Sequence, residues 1–166
     1  MTIGPSVFKH LLKTPTTYQK NSVSFKNYVI LAYNRDEVMV QQVTSGIKIS
    51  VETNFEGTFY KNYKVHFAFG YKVTIENQSK DSVQLNSRHW KILDALNNEE
   101  IIEGEGVIGK KPVLKPGESH TYNSGCLLTS PFGAMQGHYN MVNFTKTNKF
   151  KVYIPSFKLS APFALN

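Results

Sequence analysis

The chain of 166 residues has one cysteine, one tryptophan and no long apolar run, and each shortage closes off a class of protein. A lone thiol, Cys126, cannot form an intramolecular disulfide, which excludes a disulfide-stapled scaffold. It lies in the run Gly125-Cys126-Leu127-Leu128, where it reads as a small buried hydrophobe, with no neighbouring base to mark it as a nucleophile. No stretch reaches the ~18 consecutive apolar residues of a membrane-spanning helix, so no membrane insertion is expected. The N-terminal stretch lacks the unbroken apolar core of ~7–15 residues that a signal peptide requires, and a cytoplasmic location is the default expectation. Positive charge is modest and uneven. Net charge is +7, but residues 1–38 hold five Lys/Arg against two acids, and residues 39–166 hold fourteen against ten. Lys48, Lys61, Lys64, Lys72 and Lys80 stand singly and only Lys110–Lys111 are paired, so no basic stripe with interleaved aromatics is visible and nucleic acid is not expected as a partner.

What the chain does have is alternation. Ile47, Ile49 and Val51 alternate with Lys48, Ser50 and Glu52, as in a half-buried strand. Turn residues at Asn54–Gly57 are expected to separate it from a longer run in which Val65, Phe67, Phe69, Tyr71, Val73 and Ile75 share one face. A helix would scatter those residues around its circumference. The polar cluster Asn77–Ser82 reads as a turn. Val83 and Leu85 then resume the period, but Trp90 and Ile92 fall on the other parity, which predicts a bulge or a change of face near Asn86–Arg88. Further strands are predicted at 99–103, 119–128, 135–144 and 149–159, with a tight turn at Pro116-Gly117. About seven short strands without a helical segment predict an all-β sandwich of two antiparallel sheets, of immunoglobulin or fibronectin type III style. It should occupy residues 39–166. Residues 1–38 read as an appended extension, with one turn of helix at Val7–Leu12 and an extra strand at Tyr28–Tyr33 as its candidate elements.

The motifs with chemical potential are few. Gly104-Glu105-Gly106-Val107-Ile108-Gly109 matches the glycine spacing of dinucleotide-binding turns, but Pro112 and Pro116 disfavour the helix that such a turn must lead into. The glycines read first as shaping a β-turn or bulge, and second as a backbone nest for a phosphate-bearing small molecule, assisted by Lys110 and Lys111. His66, His89, His120 and His138 lie on four predicted strands, and two or three could converge with Glu103 or Glu105 on a divalent ion, although no local pair fixes such a site. Glu99, Glu100, Glu103 and Glu105 offer at most a loose Mg²⁺ site. Ser124 is not in a nucleophile elbow, and no catalytic constellation emerges. Trp90 is expected to anchor the core, with Arg88 on the opposite face, open to a carboxylate or an anion. Met135, Gly137, Tyr139 and Met141 should face inward.

Several of these motifs form an ordered series. Arg88-x-Trp90, the 104–109 glycine motif, Pro112-x-Leu114-x-Pro116-Gly117-Glu118, Tyr122-x-Ser124-Gly125, Pro131-x-Gly133-x-Met135-x-Gly137-x-Tyr139-x-Met141 and Ile154-Pro155-x-Phe157-x-Leu159 follow one another as in the ApaG domain, which residues 41–166 resemble. The resemblance implies a fibronectin type III-like sandwich. It also implies an association with cobalt and magnesium tolerance or efflux in bacteria, so Co²⁺ or Mg²⁺ is a conceivable cofactor, although none is required. Eukaryotic counterparts occur within an F-box protein and a polymerase-delta-interacting protein, which implies a protein-interaction module with a protein partner. Gly104, Gly106 and Gly109 carry over as candidate ligand contacts of a pyrophosphate or nucleotide site. Family members commonly begin just before the first sandwich strand, near Met39 here, so residues 1–38 are expected to be a genuine arm or upstream sequence read from an early start codon. Three functions are therefore open: a non-enzymatic protein-binding module, a phosphate-ligand sensor or enzyme, and metal sequestration by histidines.

Overall fold

A computed structural model of the chain describes residues 2–3, 39–96 and 98–164. Two antiparallel sheets face each other. The first contains β1 (Thr2–Ile3), β2 (Val40–Thr44), β3 (Ile47–Lys61), β4 (Lys64–Asn77) and β8 (Ser119–Leu128), in the order β1-β8-β4-β3-β2. The second contains β5 (Val83–Asp94), β6 (Glu99–Glu105), β9 (Phe132–Asn143) and β10 (Asn148–Ser160), in the order β10-β9-β5-β6, and the two-residue β7 (Val113–Leu114) pairs with the start of β5. The expected helical turn at Val7–Leu12 and strand at Tyr28–Tyr33 lie outside the described residues.

The core follows from the two-residue period. Ile47, Ile49 and Val51 of β3 and Phe69, Tyr71, Val73 and Ile75 of β4 are buried, and they meet Val83, Leu85, Trp90 and Ile92 of β5 and Met135, Tyr139 and Met141 of β9. Burial of each such large apolar side chain is worth about 1.5–3 kcal/mol relative to exposure, so this layer is the main source of stability. Trp90 packs against Tyr71, Tyr139 and Phe157 with ring centroids 5.6, 6.4 and 5.9 Å apart. Cys126 lies fully inside this layer, where burial pushes its thiol up to about 12 and suppresses thiolate chemistry at neutral pH.

The parity change in β5 is a bulge: pairing with β9 shifts between Leu85 and Ser87. Two sequence expectations need correction. Asn54–Gly57 is not a turn, because β3 continues through it with a bulge between Phe55 and Gly57, where Gly57 has φ of 141°. The chain instead reverses at Asn62-Tyr63, both with positive φ (52° and 60°), as a two-residue hairpin turn requires for its twist to match the strands. Arg88 was expected to face away from Trp90, but residues two apart on a strand share a face. Its guanidinium lies on the inner side, near enough to influence the buried phenols of Tyr71, Tyr122 and Tyr139.

Candidate functional site

The glycine motif forms the connection from β6 to β7, along the edge of β5. The Gly106 amide donates to the carbonyl of Asn86, the bulged residue of β5, at 2.7 Å. Val107 and Lys110 exchange amide–carbonyl bonds of 2.8 and 3.0 Å around Ile108-Gly109, both left-handed (φ 49° and 70°). Arg88 Nη1 donates to the carbonyls of Gly106 (2.8 Å) and Glu105 (3.2 Å) and so closes the loop from beneath.

Each glycine has a local reason. A side chain at Gly104 would begin 3.0 Å from the Arg88 guanidinium, so its absence makes room for that group. A Cβ at Gly106 would lie 2.1 Å from the Lys110 carbonyl oxygen, and φ is 58°. Gly109 has open space around it and is favoured by its turn conformation alone. The structure thus brings Arg88, Gly104 and Gly106 together, with Gly109 at the turn. Lys111 pairs with Glu105 at 2.9 Å, which together hold the Glu105 carboxyl below its ordinary value. Lys110 has no carboxylate partner among the described residues. The amides of Gly106, Val107 and Lys110 and the Arg88 donor therefore meet carbonyls of the protein itself.

The histidines divide. His89 and His138 are cross-strand partners with rings stacked at 4.8 Å and 19°, and Glu103 Oε1 lies 2.8 Å from His89 Nδ1. His66 and His120 are on β4 and β8 in the other sheet. Face-to-face rings do not aim their nitrogens at one point, and among the described residues no group of three or more His, Cys, Asp or Glu is placed to hold a metal ion. The acidic candidates are engaged elsewhere: Glu99 pairs with Lys91 at 2.8 Å, Glu103 with His89 and Glu105 with Lys111.

A further surface carried no motif. The inner stripe of β4 is buried from Ile75 to Phe69, but Phe67 is only half-buried and Val65 is exposed, because the β3–β4 hairpin runs past the end of the opposite sheet. Val65 is paired with Tyr60, which is 72% exposed, and Tyr63 at the turn is 93% exposed. Phe55 and Phe67 lie at the margin of the core, Phe55 against Phe69 at 5.4 Å, and both meet Phe163 of the C-terminal 3-10 turn Pro162–Ala164, with centroids 5.7 and 6.2 Å apart, while Phe163 is itself exposed. The signal was the length of the alternating run, which continues past what the facing sheet can cover. The misplaced turn hid it.

Two facing antiparallel sheets, with a bulged central strand closed by an arginine-capped glycine turn, define an ApaG-type β-sandwich of fibronectin type III-like fold. Comparison with known proteins agrees. The ApaG domain family matches residues 57–143. The chain is similar to Protein ApaG of Beijerinckia indica subsp. indica, at 44% identity over 126 residues, which cover 76% of this chain and 96% of that one. It is similar to Protein ApaG of Brucella abortus at 41% over 124 residues, 75% of this chain and 95% of that one. A solved Bordetella pertussis structure described as an ApaA protein superposes with a TM-score of 0.64 at 35% identity, covering 70% of this chain and 94% of that one. The chain belongs to the ApaG domain family. Among the described residues no helix is long and apolar enough to cross a membrane.

Proposed function

We propose that the protein is a non-catalytic binding module that docks a protein partner on the overhanging end of the β3–β4 hairpin. The observation that carries this reading is the core-facing stripe Phe67-Val65-Tyr60, which continues beyond the second sheet and leaves aromatic surface in water. Aromatic residues on a projecting, backbone-paired element give large contact area at low conformational cost, which suits protein recognition. The association of the family with cobalt and magnesium tolerance is then indirect, through a partner that moves or senses the ion.

The second reading, a phosphate-bearing ligand such as pyrophosphate at the 104–111 loop, draws support from Lys110 and from the exposed left-handed turn at Ile108-Gly109. It ranks lower because a nest needs amides that converge on the anion, and the Gly106, Val107 and Lys110 amides already bond to carbonyls. The discriminating experiment places a photocrosslinking residue at Tyr63 and, separately, at Lys80 in the full chain. Enrichment of one protein from Tyr63 alone, lost in a Tyr60→Ser variant that still melts like the parent, is expected. The same protein captured equally from Lys80 would contradict the hairpin assignment.

A further inference from the structure

The outer face of the β10-β9-β5-β6 sheet carries an arrangement that neither the hairpin nor the glycine loop uses. Glu103, His89, His138 and Tyr153 are successive cross-strand partners, so one side chain from each of four strands forms a single row across the sheet. The His89 and His138 rings stack at 4.8 Å, and Tyr153 meets His138 at 6.3 Å and 61°. Tyr153 is 52% exposed, and beside it lies an open depression of about 400 Å³ bordered by Lys91, Gln136, His138 and Tyr153. A second depression, of about 420 Å³, is bordered by Ser87, Asn140, Lys149 and Lys151.

Charge is sorted across this face. On the β5–β6 side Lys91 is neutralised by Glu99 and Lys111 by Glu105, and Lys110 alone has no carboxylate partner among the described residues. Along β10, Lys149, Lys151 and Lys158 are exposed and have no carboxylate partner among the described residues. Three lysines without a carboxylate partner among the described residues therefore follow one strand, with flat rings next to it.

We infer that this sheet face binds single-stranded nucleic acid, with phosphates along Lys149, Lys151 and Lys158 and an unstacked base over Tyr153 and His138. Lysines along a strand neutralise a backbone without reading its sequence, and aromatic rings beside them stack bases of any identity. An acidic polypeptide would match the lysines but leave the ring row without a flat partner. A duplex keeps its bases inside the stack and cannot reach the rings. The basic stripe escaped the sequence reading because Lys149, Lys151 and Tyr153 alternate with the inward-facing Phe150, Val152 and Ile154, and the histidines that complete it lie on other strands.

The test is fluorescence anisotropy of a labelled twelve-nucleotide oligouridylate titrated with the full chain at 50 mM salt and above. Saturable binding is expected, with log K falling against log salt at a slope of about −2, since each single-strand phosphate contact contributes roughly −0.7. Lys149→Glu with Lys151→Glu should weaken binding more than tenfold, and Tyr153→Ala roughly tenfold, whereas Tyr153→Phe retains the stacking ring and the affinity. Lys80→Glu with Lys115→Glu makes the same charge change elsewhere and should leave affinity within about threefold of the parent. Amide shifts in the unmutated chain at residues 87–91, 136–140 and 149–156 give a readout that does not depend on variants. No saturable binding at 50 mM salt overturns the inference. So do equal losses from the two charge pairs, or competition by polyglutamate as effective as that by oligouridylate, which would assign the face to an acidic polypeptide.

Discussion

The glycine turn at 104–111 and the free end of the β3–β4 hairpin are opposites in what they leave unsatisfied. The turn is rich in recognisable motif, yet its Gly106, Val107 and Lys110 amides, its arginine and two of its charged side chains meet partners within the protein. The hairpin end has no motif, yet Tyr60, Tyr63 and Val65 remain exposed to water, with no strand of the second sheet covering them among the described residues. Glycine spacing reports where backbone must approach backbone closely. An uncovered apolar stripe reports where something else can be buried, and such patches mark interaction sites in soluble proteins.

The sharpest way to break this contrast is at Gly106. Gly106→Ala adds a Cβ into the Lys110 carbonyl at a left-handed position and should destabilise the fold by about 2–5 kcal/mol in denaturant melts. Arg88→Met retains much of the apolar stem but removes the donor from two carbonyls, for an expected loss of about 2–3 kcal/mol. Gly109→Ala, where there is space but φ is positive, should cost about 1–2 kcal/mol, so the gap between the two alanine variants measures the close approach separately from the turn. At the hairpin, Tyr60→Ser should change stability by no more than about 0.5 kcal/mol while abolishing the crosslink from a probe at position 63.

The smallest effect is the pH dependence of the loop. The Glu105 carboxyl is held low, first by its hydrogen bond from Lys111 and then by the lysine charge. Its folded value lies below its unfolded one, so this stabilisation is present above the ordinary glutamate range and is lost as pH falls through the folded value. Glu105→Gln should flatten that part of a stability–pH profile below about pH 4.3 and be slightly less stable than the parent at neutral pH, the two converging in acid.

Sequence reached the fold through its periodicity. Six alternating apolar residues from Val65 to Ile75 define β4, and the parity switch between Leu85 and Trp90 located the β5 bulge. The Pro116-Gly117 turn is also there, with Gly117 at φ 80° and the Glu118 amide bonded to the Lys115 carbonyl. It missed the hairpin reversal, because Asn54 and Gly57 are turn formers that here serve a bulge: the side chains of Asn54 and Glu56 lie over Gly70 of the neighbouring strand. That contact is a cross-strand relation with no local signal. The same limit applies to the candidate sites. The pairing of His89 with His138 depends on register between β5 and β9, and the exposure of Val65 depends on where the other sheet ends.

The most direct test of the contrast is an amide NMR titration of the isotopically labelled full chain with pyrophosphate in the presence of Mg²⁺. With the Gly106, Val107 and Lys110 amides engaged internally, resonances of residues 104–111 should stay in place up to millimolar ligand. Saturable shifts confined to those residues would show that the loop receives an anion, and would move the functional site from the hairpin to the glycine turn.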